Sequence, residues 1–450
     1  MRPQGLHSQR DASFRDGRSC APGCKPRIAG ALWYSDSGGA IPLKTVAIIG
    51  GGPAGAAVAE RLNPAARGLR VLLFEERLGW EKPCGGGLPC KALRRYPFLL
   101  ETLEPHAVVR EAEVTAATGE SVRFSLGRPL AIYSRAVLNE LLLRRACEAG
   151  AEVIEDRVLG FERLADGWRL QTRRGHYAAD YLVLAAGART RLRQRLAPAF
   201  SQRDFMLTFG YYAPGTDSLL RVQFFDDFEG YAWAFPRPDH LSLGICGKVG
   251  ENSMAGLKER LHDFMRRFGY ATSAGRSPVF SHLLPALSVE SWNNLNLSGP
   301  GWALAGDAAG LVDPVTGEGI YFAMRSGEIL AQTLLEGAPQ AYSGRVWRDF
   351  GRKLALGARA VRFFYRETFL GRPSTTRLVQ FARRSPAFQD LLRDLIDGSQ
   401  SYPGLASRLY KALARSAVGI ALRRPGDSTH HRTRIGSGVH ERAEYSGYQA

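Results

Sequence analysis

The sequence lacks long apolar runs. No uninterrupted apolar stretch in its 450 residues reaches about 18, the length that predicts a membrane-spanning helix. Residues 1–43 contain no apolar core of about 7–15 residues, which a secretory signal requires. After Pro425 the apolar periodicity is lost. We therefore expect a cytoplasmic protein with disordered segments at 1–43 and 425–450.

Cysteine and lysine are scarce. Six cysteines in a chain of this length predict no disulfide framework. Cys20 and Cys24, with His7 upstream, supply too few ligands for a zinc site, so we predict no metal. Only eight of the 60 basic residues are lysine, and the arginines form no basic stripe with interleaved aromatics. The net charge of +17 alone therefore does not indicate nucleic-acid binding, and we predict no nucleic-acid partner.

A dinucleotide-binding pattern opens the folded part of the chain. Residues 44–50 form an apolar strand, a helical pattern follows, and residues 68–76 form a second strand. Glycines permit a tight turn between strand and helix and let a pyrophosphate approach the helix N-terminus. The glycines of this G-x-G-x-x-G motif are Gly50, Gly52 and Gly55.

Neighbouring residues strengthen this pattern. Pro53 suits the first helical turn, where its missing N–H costs nothing, and Ala54 follows it at the phosphate-facing end. Glu75 lies 20 residues after Gly55, where a carboxylate accepts hydrogen bonds from a ribose and repels a 2′-phosphate. The motif therefore predicts a dinucleotide site that disfavours NADP.

A second glycine-rich segment distinguishes FAD from NAD. Gly306 and Asp307 end an apolar strand, where a carboxylate can hold the ribityl and ribose hydroxyls of FAD. Gly317 and Gly319 precede a long helix whose N-terminal amides would face the pyrimidine edge of the flavin and favour its reduced form. The alternative is a buried strand with Asp307 as an ordinary helix cap.

The remaining pattern predicts an α/β protein. It has a Rossmann-like FAD-binding domain, an inserted and mainly antiparallel substrate sheet, and a C-terminal region of basic amphipathic helices. These helices would allow peripheral contact with the inner membrane surface. The predicted FAD domain is 44–340, interrupted by substrate segments 86–130 and 203–290, and the helical region is 341–424.

The sequence resembles the geranylgeranyl reductase family of FAD-dependent oxidoreductases, within the p-hydroxybenzoate-hydroxylase-like FAD superfamily. The resemblance rests on "VAIIGGGPAGAAVAERL", "KPCGGGL" and "GDAAGLVDPVTGEGIYFAMRSG", and it covers residues 44–424. It implies non-covalent FAD and reduction of isolated C=C bonds in isoprenoid chains. The flavin contacts that it implies are Gly50, Gly52, Gly55, Glu75, Arg135, Gly306, Asp307 and Gly319. For Arg135 the alternative is an exposed helical arginine that is solvated and has no role in binding.

The segment "PCGGGLPC" places three glycines between two cysteines. Its C-x5-C spacing differs from the C-x4-C of flavin disulfide reductases, and no second G-x-G-x-x-G follows. Consecutive glycines let a backbone lie against a flat ring. The resemblance places this loop, with Gly85 and Gly86, beside the isoalloxazine. We therefore predict that Cys84 faces the flavin and that Cys90 packs or caps the next helix.

A row of aromatic residues predicts the substrate side. Tyr231, Trp233 and Phe235 share one face of a strand and would line an isoprenoid tunnel, with Arg237 meeting a polar head group. Alternatively, these three aromatic side chains form part of an ordinary sheet core. Flavin halogenases have a similar segment with an active-site lysine, yet no lysine occurs between Lys91 and Lys248.

The sequence thus predicts an FAD-dependent reductase of a long isoprenoid or prenylated lipid. Reduced flavin would deliver a hydride, and Cys84, Tyr231 or a water would supply the proton. The missing second nucleotide motif predicts transient reduction by NAD(P)H or a ferredoxin-type donor. A flavin monooxygenase, such as an aromatic hydroxylase or halogenase, and a quinone-linked dehydrogenase remain alternatives. The usual Asp-Gly motif of hydroxylases is replaced by "AAGART".

Overall fold

The computed structural model describes residues 31–34, 40–270, 278–400 and 402–422. The chain divides into two compact units, residues 1–405 and residues 406–450. Almost all of the last helix, Leu405–Leu422, belongs to the second unit, and the other elements belong to the first. Cys20, Cys24 and the predicted C-terminal tail lie outside the described residues.

A six-stranded sheet carries the predicted nucleotide motif. Five of its strands are parallel and the sixth is an antiparallel edge strand. The central strands are buried on both faces, as expected where helices cover a parallel sheet. In spatial order the strands are Ser298–Gly299, Trp302–Leu304, Tyr181–Leu184, Thr45–Ile49, Arg70–Glu75 and Glu152–Glu155.

An eight-stranded sheet forms the second layer. Its pairs are antiparallel except for one parallel pair between Leu219–Phe224 and His106–Thr115. Its strands come from two separate stretches of the chain. In spatial order they are Val279–Pro285, Phe205–Pro214, His240–Lys248, Gly230–Pro236, Leu219–Phe224, His106–Thr115, Ser121–Tyr133 and Gly87–Leu88.

Smaller sheets and the helices complete the described chain. A three-stranded sheet contains His176–Ala179, Gly167–Thr172 and Val158–Leu164. Two-stranded ladders join Ala31–Tyr34 to Ala40–Leu43 and Thr368–Phe369 to Arg372–Pro373. The α-helices of the first unit are Pro53–Leu62, Pro64–Arg67, Cys90–Arg95, Phe98–Glu101, Arg135–Glu148, Met254–Arg267, Val289–Asn293, Ile320–Leu335, Tyr342–Val346, Arg352–Tyr365, Ser374–Ala382 and Pro386–Ile396. None of the helices in the described part of the chain has the length and apolar character to span a bilayer.

Close helix packing joins the two predicted cofactor segments. A Cβ on Gly327, in helix Ile320–Leu335, would lie 2.5 Å from the carbonyl oxygen of Ala54, in helix Pro53–Leu62. The helices therefore approach through small residues. A Cβ on Gly306 would likewise lie 2.8 Å from that of Ala54. This packing places the Gly306–Asp307 segment beside the N-terminus of helix Pro53–Leu62.

The predicted α/β class is confirmed. A mainly parallel sheet carries the glycine turn, a mainly antiparallel sheet is inserted, and helices follow it in sequence. In the segment predicted to be disordered, Ala31–Tyr34 and Ala40–Leu43 pair as antiparallel strands. The proposed domain boundaries remain predictions.

Candidate functional site

A cavity of about 990 Å³ is lined by residues of both large sheets. This volume is at the upper end of small-molecule pockets. On the side of the six-stranded sheet it is lined by the glycine turn, Glu75, Arg135 and Asp307. On the side of the eight-stranded sheet it is lined by Tyr231, Trp233, Phe235, Cys246 and His282. The predicted cofactor and substrate residues therefore meet in one space.

The glycine turn leaves room for a ligand at Gly52. A Cβ built on Gly52 would meet no atom within 4 Å, and its φ of −70° is accessible to any residue. The amide of Gly51 donates to Glu75 Oε2 at 2.8 Å, and that of Arg77 donates to Glu75 Oε1 at 3.0 Å. Both oxygens are thus held beside the turn and retain acceptor capacity for a ribose hydroxyl.

Arg135 is a buried cation without a carboxylate partner. The residue is 4% exposed and lines the cavity. One guanidinium nitrogen donates to Asn139 Oδ1 at 3.2 Å, whereas Nε has no hydrogen-bond partner. Among the described residues no acid lies within ion-pair distance of it. Since a buried charge without an ion-pair partner is costly, Arg135 could hold an anion such as a pyrophosphate. Arg135 is therefore not the solvated helical charge considered as an alternative.

Replacing Arg135 with glutamine should change stability and flavin affinity in opposite directions. Removing an unpaired buried charge should raise the free energy of unfolding of the flavin-free protein by about 1 kcal/mol. Losing one charge-assisted hydrogen bond should weaken FAD binding roughly tenfold or more. Urea unfolding and flavin titration measure the two effects. The exposed Arg144→Gln variant on the same helix is the control, and a parallel change in both quantities would contradict the assignment.

Asp307 forms an ion pair inside the cavity. Its Oδ2 accepts from Lys82 Nζ at 2.7 Å, and both side chains are mostly buried. Burial opposes ionisation of Asp307, but the Lys82 ammonium outweighs it and holds the pKa of the carboxyl below its usual range. Burial and the Lys82 charge lower the pKa of the nearby His282 to about 3, so this imidazole is neutral at pH 7. Asp307 is thus a charged acceptor rather than a helix cap.

Lys82 changes one inference drawn from the sequence. The absence of lysine between Lys91 and Lys248 does not deprive the cavity of an ammonium group, because Lys82 lies within it. Lys82 also lies between the nucleotide motif and the aromatic row. The lysine argument against a halogenase therefore fails.

The glycine loop packs against the protein itself. A Cβ on Gly85 would lie 2.5 Å from the ring of Phe235. Gly86 has a φ of +82°, and its Cβ would lie 2.0 Å from the carbonyl oxygen of Tyr133. The flat ring that requires a glycine at Gly85 is thus an aromatic side chain of this chain. Cys84 and Gly85 to Gly87 line the cavity.

The two cysteines of this loop have different surroundings. Cys84 lines the cavity, and its Sγ accepts from the amide of Gly86 at 3.3 Å. Cys90 is buried as the first residue of helix Cys90–Arg95 and is not among the residues that line the cavity. Both are free thiols. Of these two cysteines, only Cys84 can meet a ligand in this cavity.

The aromatic row lies along the cavity. Successive ring centroids of Tyr231, Trp233 and Phe235 are 6.0 and 6.3 Å apart. A Cβ on Gly244, which pairs with Trp233 across the sheet, would lie 2.2 Å from the indole. The Tyr231 hydroxyl donates to the carbonyl of Thr316, and burial raises its pKa well above the usual range. Residue 244 must be a glycine because the Trp233 indole lies over it.

Arg237 is engaged with the protein and is not among the residues that line the cavity. Its guanidinium donates to Glu81 Oε1 and to the carbonyl oxygen of Cys84, both at 2.8 Å, and its side chain is fully buried. Glu81 also accepts from the amides of Arg135 and Ala136, each at 2.9 Å. We call this arrangement the Glu81–Arg237 clamp. The predicted role for Arg237, contact with a substrate head group, has no support here because its charge is already used.

Replacing Glu81 with glutamine should destabilise the fold in a pH-dependent way. Burial alone raises the pKa of Glu81, but Arg237 and the helix amides outweigh it and hold the pKa below the usual range. The clamp therefore stabilises the protein above the unfolded pKa, near 4.5, and the stabilisation is lost as pH falls through the folded pKa. At pH 7 the variant should lose about 3 kcal/mol, because Arg237 is left unpaired. In urea unfolding the difference from wild type should shrink below pH 4.5; a pH-independent difference would contradict this.

The second glycine segment completes the site. Gly317 has a φ of +71°, and its Cβ would lie 3.0 Å from the Tyr231 hydroxyl. Gly319 precedes helix Ile320–Leu335, and its Cβ would lie 3.3 Å from Asp307 Oδ1. Both line the cavity with the N-terminus of this helix, where the helix dipole favours negative charge.

Sequence reasoning missed several groups in and around the site. Lys82, His282 and Cys246 line the cavity, and Glu81 anchors the adjacent loop. Glu81 and Lys82 had a local signal, because they lie three and two residues before Cys84. The others come from elements far apart in the chain, which single-sequence patterns do not join.

Two family models match parts of the chain. One, described as FAD dependent oxidoreductase, matches residues 129–312. The other, described as pyridine nucleotide-disulphide oxidoreductase, matches residues 44–198. The open glycine turn, the unpaired Arg135 and the charged Asp307 fit the pyrophosphate and sugar hydroxyls of FAD. The chain is an FAD-dependent oxidoreductase.

Within that class, the sequence is related to geranylgeranyl reductases. It is 29% identical over 337 residues to geranylgeranyl diphosphate reductase of Synechocystis sp., across 64% of this chain and 75% of that protein. The predicted resemblance to this family is therefore confirmed.

Solved structures share the fold. A geranylgeranyl bacteriochlorophyll reductase-like protein from Thermoplasma acidophilum has a TM-score of 0.68 at 20% identity, over 82% of this chain and 99% of that one. The flavin-dependent brominase Bmp2 has a TM-score of 0.60 at 19% identity, over 82% of this chain and 98% of that one. The fold alone therefore does not separate reductase from halogenase.

Proposed function

We propose that this protein saturates C=C bonds in a long isoprenoid chain. The single observation that carries the proposal is an apolar extension of the cavity, lined by Leu220, Val222 and Phe224 beside the aromatic row. The Synechocystis relative is named for reduction of geranylgeranyl diphosphate, which supports this substrate class. The substrate would be an isoprenoid or a prenylated lipid.

The apolar extension follows one face of the eight-stranded sheet. Alternate residues of strand Leu219–Phe224 line it, next to the aromatic row. Helices of the C-terminal region contribute Tyr365, Leu395 and Ile396 to the same cavity. Such a surface gains free energy by enclosing a hydrocarbon chain, at about 25 cal/mol per Å² of buried apolar area.

We propose that the predicted site residues hold the flavin. Gly50, Gly52, Pro53, Ala54, Gly55 and Arg135 would bind the pyrophosphate, Glu75 the adenosine ribose and Asp307 the ribityl hydroxyls. Cys84, Gly85, Gly86, Gly306, Gly317 and Gly319 would surround the isoalloxazine. When bound and reduced, FAD would supply a hydride to one alkene carbon.

The remaining proton would come from a side chain beside the alkene. The Tyr231 hydroxyl proton is directed at the Thr316 carbonyl, so it must leave this bond before it can be transferred. The Cys84 sulfur accepts an amide hydrogen bond from Gly86, which leaves its S–H free to point into the cavity. We therefore propose Cys84 as the proton donor, with Trp233 and Phe235 positioning the chain.

The electron donor is a further proposal. The chain carries one G-x-G-x-x-G, and Glu75 disfavours a 2′-phosphate at that motif. We therefore propose that the flavin is reduced by transiently bound NAD(P)H or by a ferredoxin-type protein, and that this donor binds away from the motif.

Anaerobic turnover tests the proposal. The dithionite-reduced protein, incubated without O2 with geranylgeraniol, should yield products heavier by one H2 per reduced bond in mass spectrometry. The alternative is a halogenase-type monooxygenase, which the Lys82 ammonium in the cavity favours. Oxygen-dependent consumption of NAD(P)H and halide, with no anaerobic product, would support that alternative and overturn the reductase.

A further inference from the structure

Helix Arg352–Tyr365 and the hairpin after it present apolar side chains to solvent. Phe363 is 45% exposed and Leu370 is 61% exposed. Leu370 lies at the tip of the hairpin formed by Thr368–Phe369 and Arg372–Pro373. We call these residues, with the exposed arginines around them, the hairpin surface.

The backbone at Leu370 is strained. Its φ is +49°, and the next residue, Gly371, has a φ of +72°. A two-residue hairpin with both φ values positive normally takes asparagine, aspartate or glycine at the first position. Leucine there costs conformational energy and also exposes an apolar side chain. Such strain persists where the surroundings enforce it and marks candidate functional positions.

Arg377 holds the hairpin in this conformation. Its Nε donates to the carbonyl oxygens of Phe369 and Leu370, at 3.3 and 3.2 Å. The backbone of the tip is therefore tied down to helix Ser374–Ala382, while the Leu370 side chain points away from the protein.

The same surface is strongly basic. Its exposed arginines are Arg352, Arg359, Arg362, Arg366 and Arg372. Two acids lie near them: Glu367, 3.3 Å from Arg362, and Glu229, which interacts with Arg362 and Arg366. The side chain of Arg362 is 80% exposed. An excess of at least three positive charges surrounds two exposed apolar groups.

We propose that the hairpin surface docks on an anionic lipid bilayer. Leu370 and Phe363 would enter the interface between head groups and acyl chains, where their apolar area is removed from water. The arginines would contact the negative head groups, each adding about fivefold to the affinity. A nucleic-acid backbone would use the arginines but would leave the strained apolar tip in water.

The other face of the helix connects this surface to the cavity. Tyr365 is buried in the same helix and lines the apolar extension. Docking would thus bring the wall of the cavity close to the membrane that contains a lipid substrate. This connection rests on the proposed function, whereas the docking itself does not.

Vesicle sedimentation with the full-length, flavin-loaded protein tests the docking. The protein should sediment with vesicles of phosphatidylcholine and phosphatidylglycerol, and much less with phosphatidylcholine alone or in high salt, because salt screens the head-group contacts. Arg359→Gln/Arg362→Gln should weaken binding on the order of tenfold or more. Arg169→Gln/Arg173→Gln, a pair of exposed arginines at the three-stranded sheet, should have little effect.

The apolar tip has its own variant. Leu370→Asn keeps a residue that tolerates positive φ, so the hairpin should fold while membrane binding falls severalfold. Leu103→Asn, at a fully exposed leucine outside the hairpin surface, is the control. Equal losses from target and control variants, or no sedimentation of the wild type, would overturn the proposal. Sedimentation does not depend on turnover, so the docking can be tested even if the reductase assay fails.

Discussion

Replacing Gly52 with valine should give a folded protein without flavin. The Cβ position is open and the backbone is extended, so the side chain meets nothing within 4 Å in the cofactor-free fold. It would fill the space through which a pyrophosphate approaches the amides of helix Pro53–Leu62. Loss of two charge-assisted hydrogen bonds, about 3 kcal/mol or more, predicts at least roughly a hundredfold weaker FAD binding.

Two other glycines provide controls. Gly344 also has no atom within 4 Å of a built Cβ, so Gly344→Val should keep both fold and flavin. A Cβ on Gly55 would lie 1.9 Å from the Gly50 carbonyl oxygen, so Gly55→Val should disrupt the fold itself. Flavin absorbance and circular dichroism separate the three outcomes. If the Gly52→Val variant bound as much flavin as the wild type, this turn would not be the pyrophosphate site.

Replacing Cys84 with alanine should abolish most of the double-bond reduction while FAD stays bound. The thiol lines the cavity, and the proposed phosphate and ribose contacts lie elsewhere. If the thiol is the general acid, the rate should fall on the order of 10²-fold or more. Single-turnover oxidation of the reduced enzyme by an isoprenoid, followed by absorbance, measures the step directly.

Cys84→Ser and Cys90→Ala separate this role from a redox dithiol. Serine retains a weak donor of similar size and should lose less activity than alanine. Cys90 is buried away from the cavity, so its replacement should be nearly silent. Equal losses at both cysteines, with a thiolate-to-flavin charge-transfer band after two-electron reduction, would overturn the proton-donor role.

The parts of the fold that sequence predicted well are those with local patterns. The strand–glycine–helix unit at Gly50 to Gly55 is set by turn chemistry and apolar periodicity within a few residues. Tyr231, Trp233 and Phe235 share a face because strand side chains alternate. The α/β class follows from such segments taken in order.

The electrostatics of the site could not be predicted, because its pairs join distant segments. Arg237 and Glu81 are 156 residues apart, and Lys82 and Asp307 are 225 apart. No local pattern indicates that Arg237 pairs inside the protein instead of meeting a substrate. The burial of Arg135 is equally invisible, because a charged residue in an amphipathic helix normally faces solvent.

The glycine loop shows a subtler limit. The sequence predicted that the flavin ring lies against this loop, whereas the ring that Gly85 contacts within the protein is Phe235. A position that requires glycine indicates only that some other group lies close to its Cα. Which neighbour it is depends on the tertiary fold.

The unpaired charge of Arg135 has a consequence in the cell. A protein whose empty form contains a buried cation without an ion-pair partner is stabilised when its anionic ligand binds, by mass action on the folded state. Newly made chains would therefore compete with proteases until they acquire FAD. The abundance of the protein should then follow the supply of riboflavin, even where its transcription is constant.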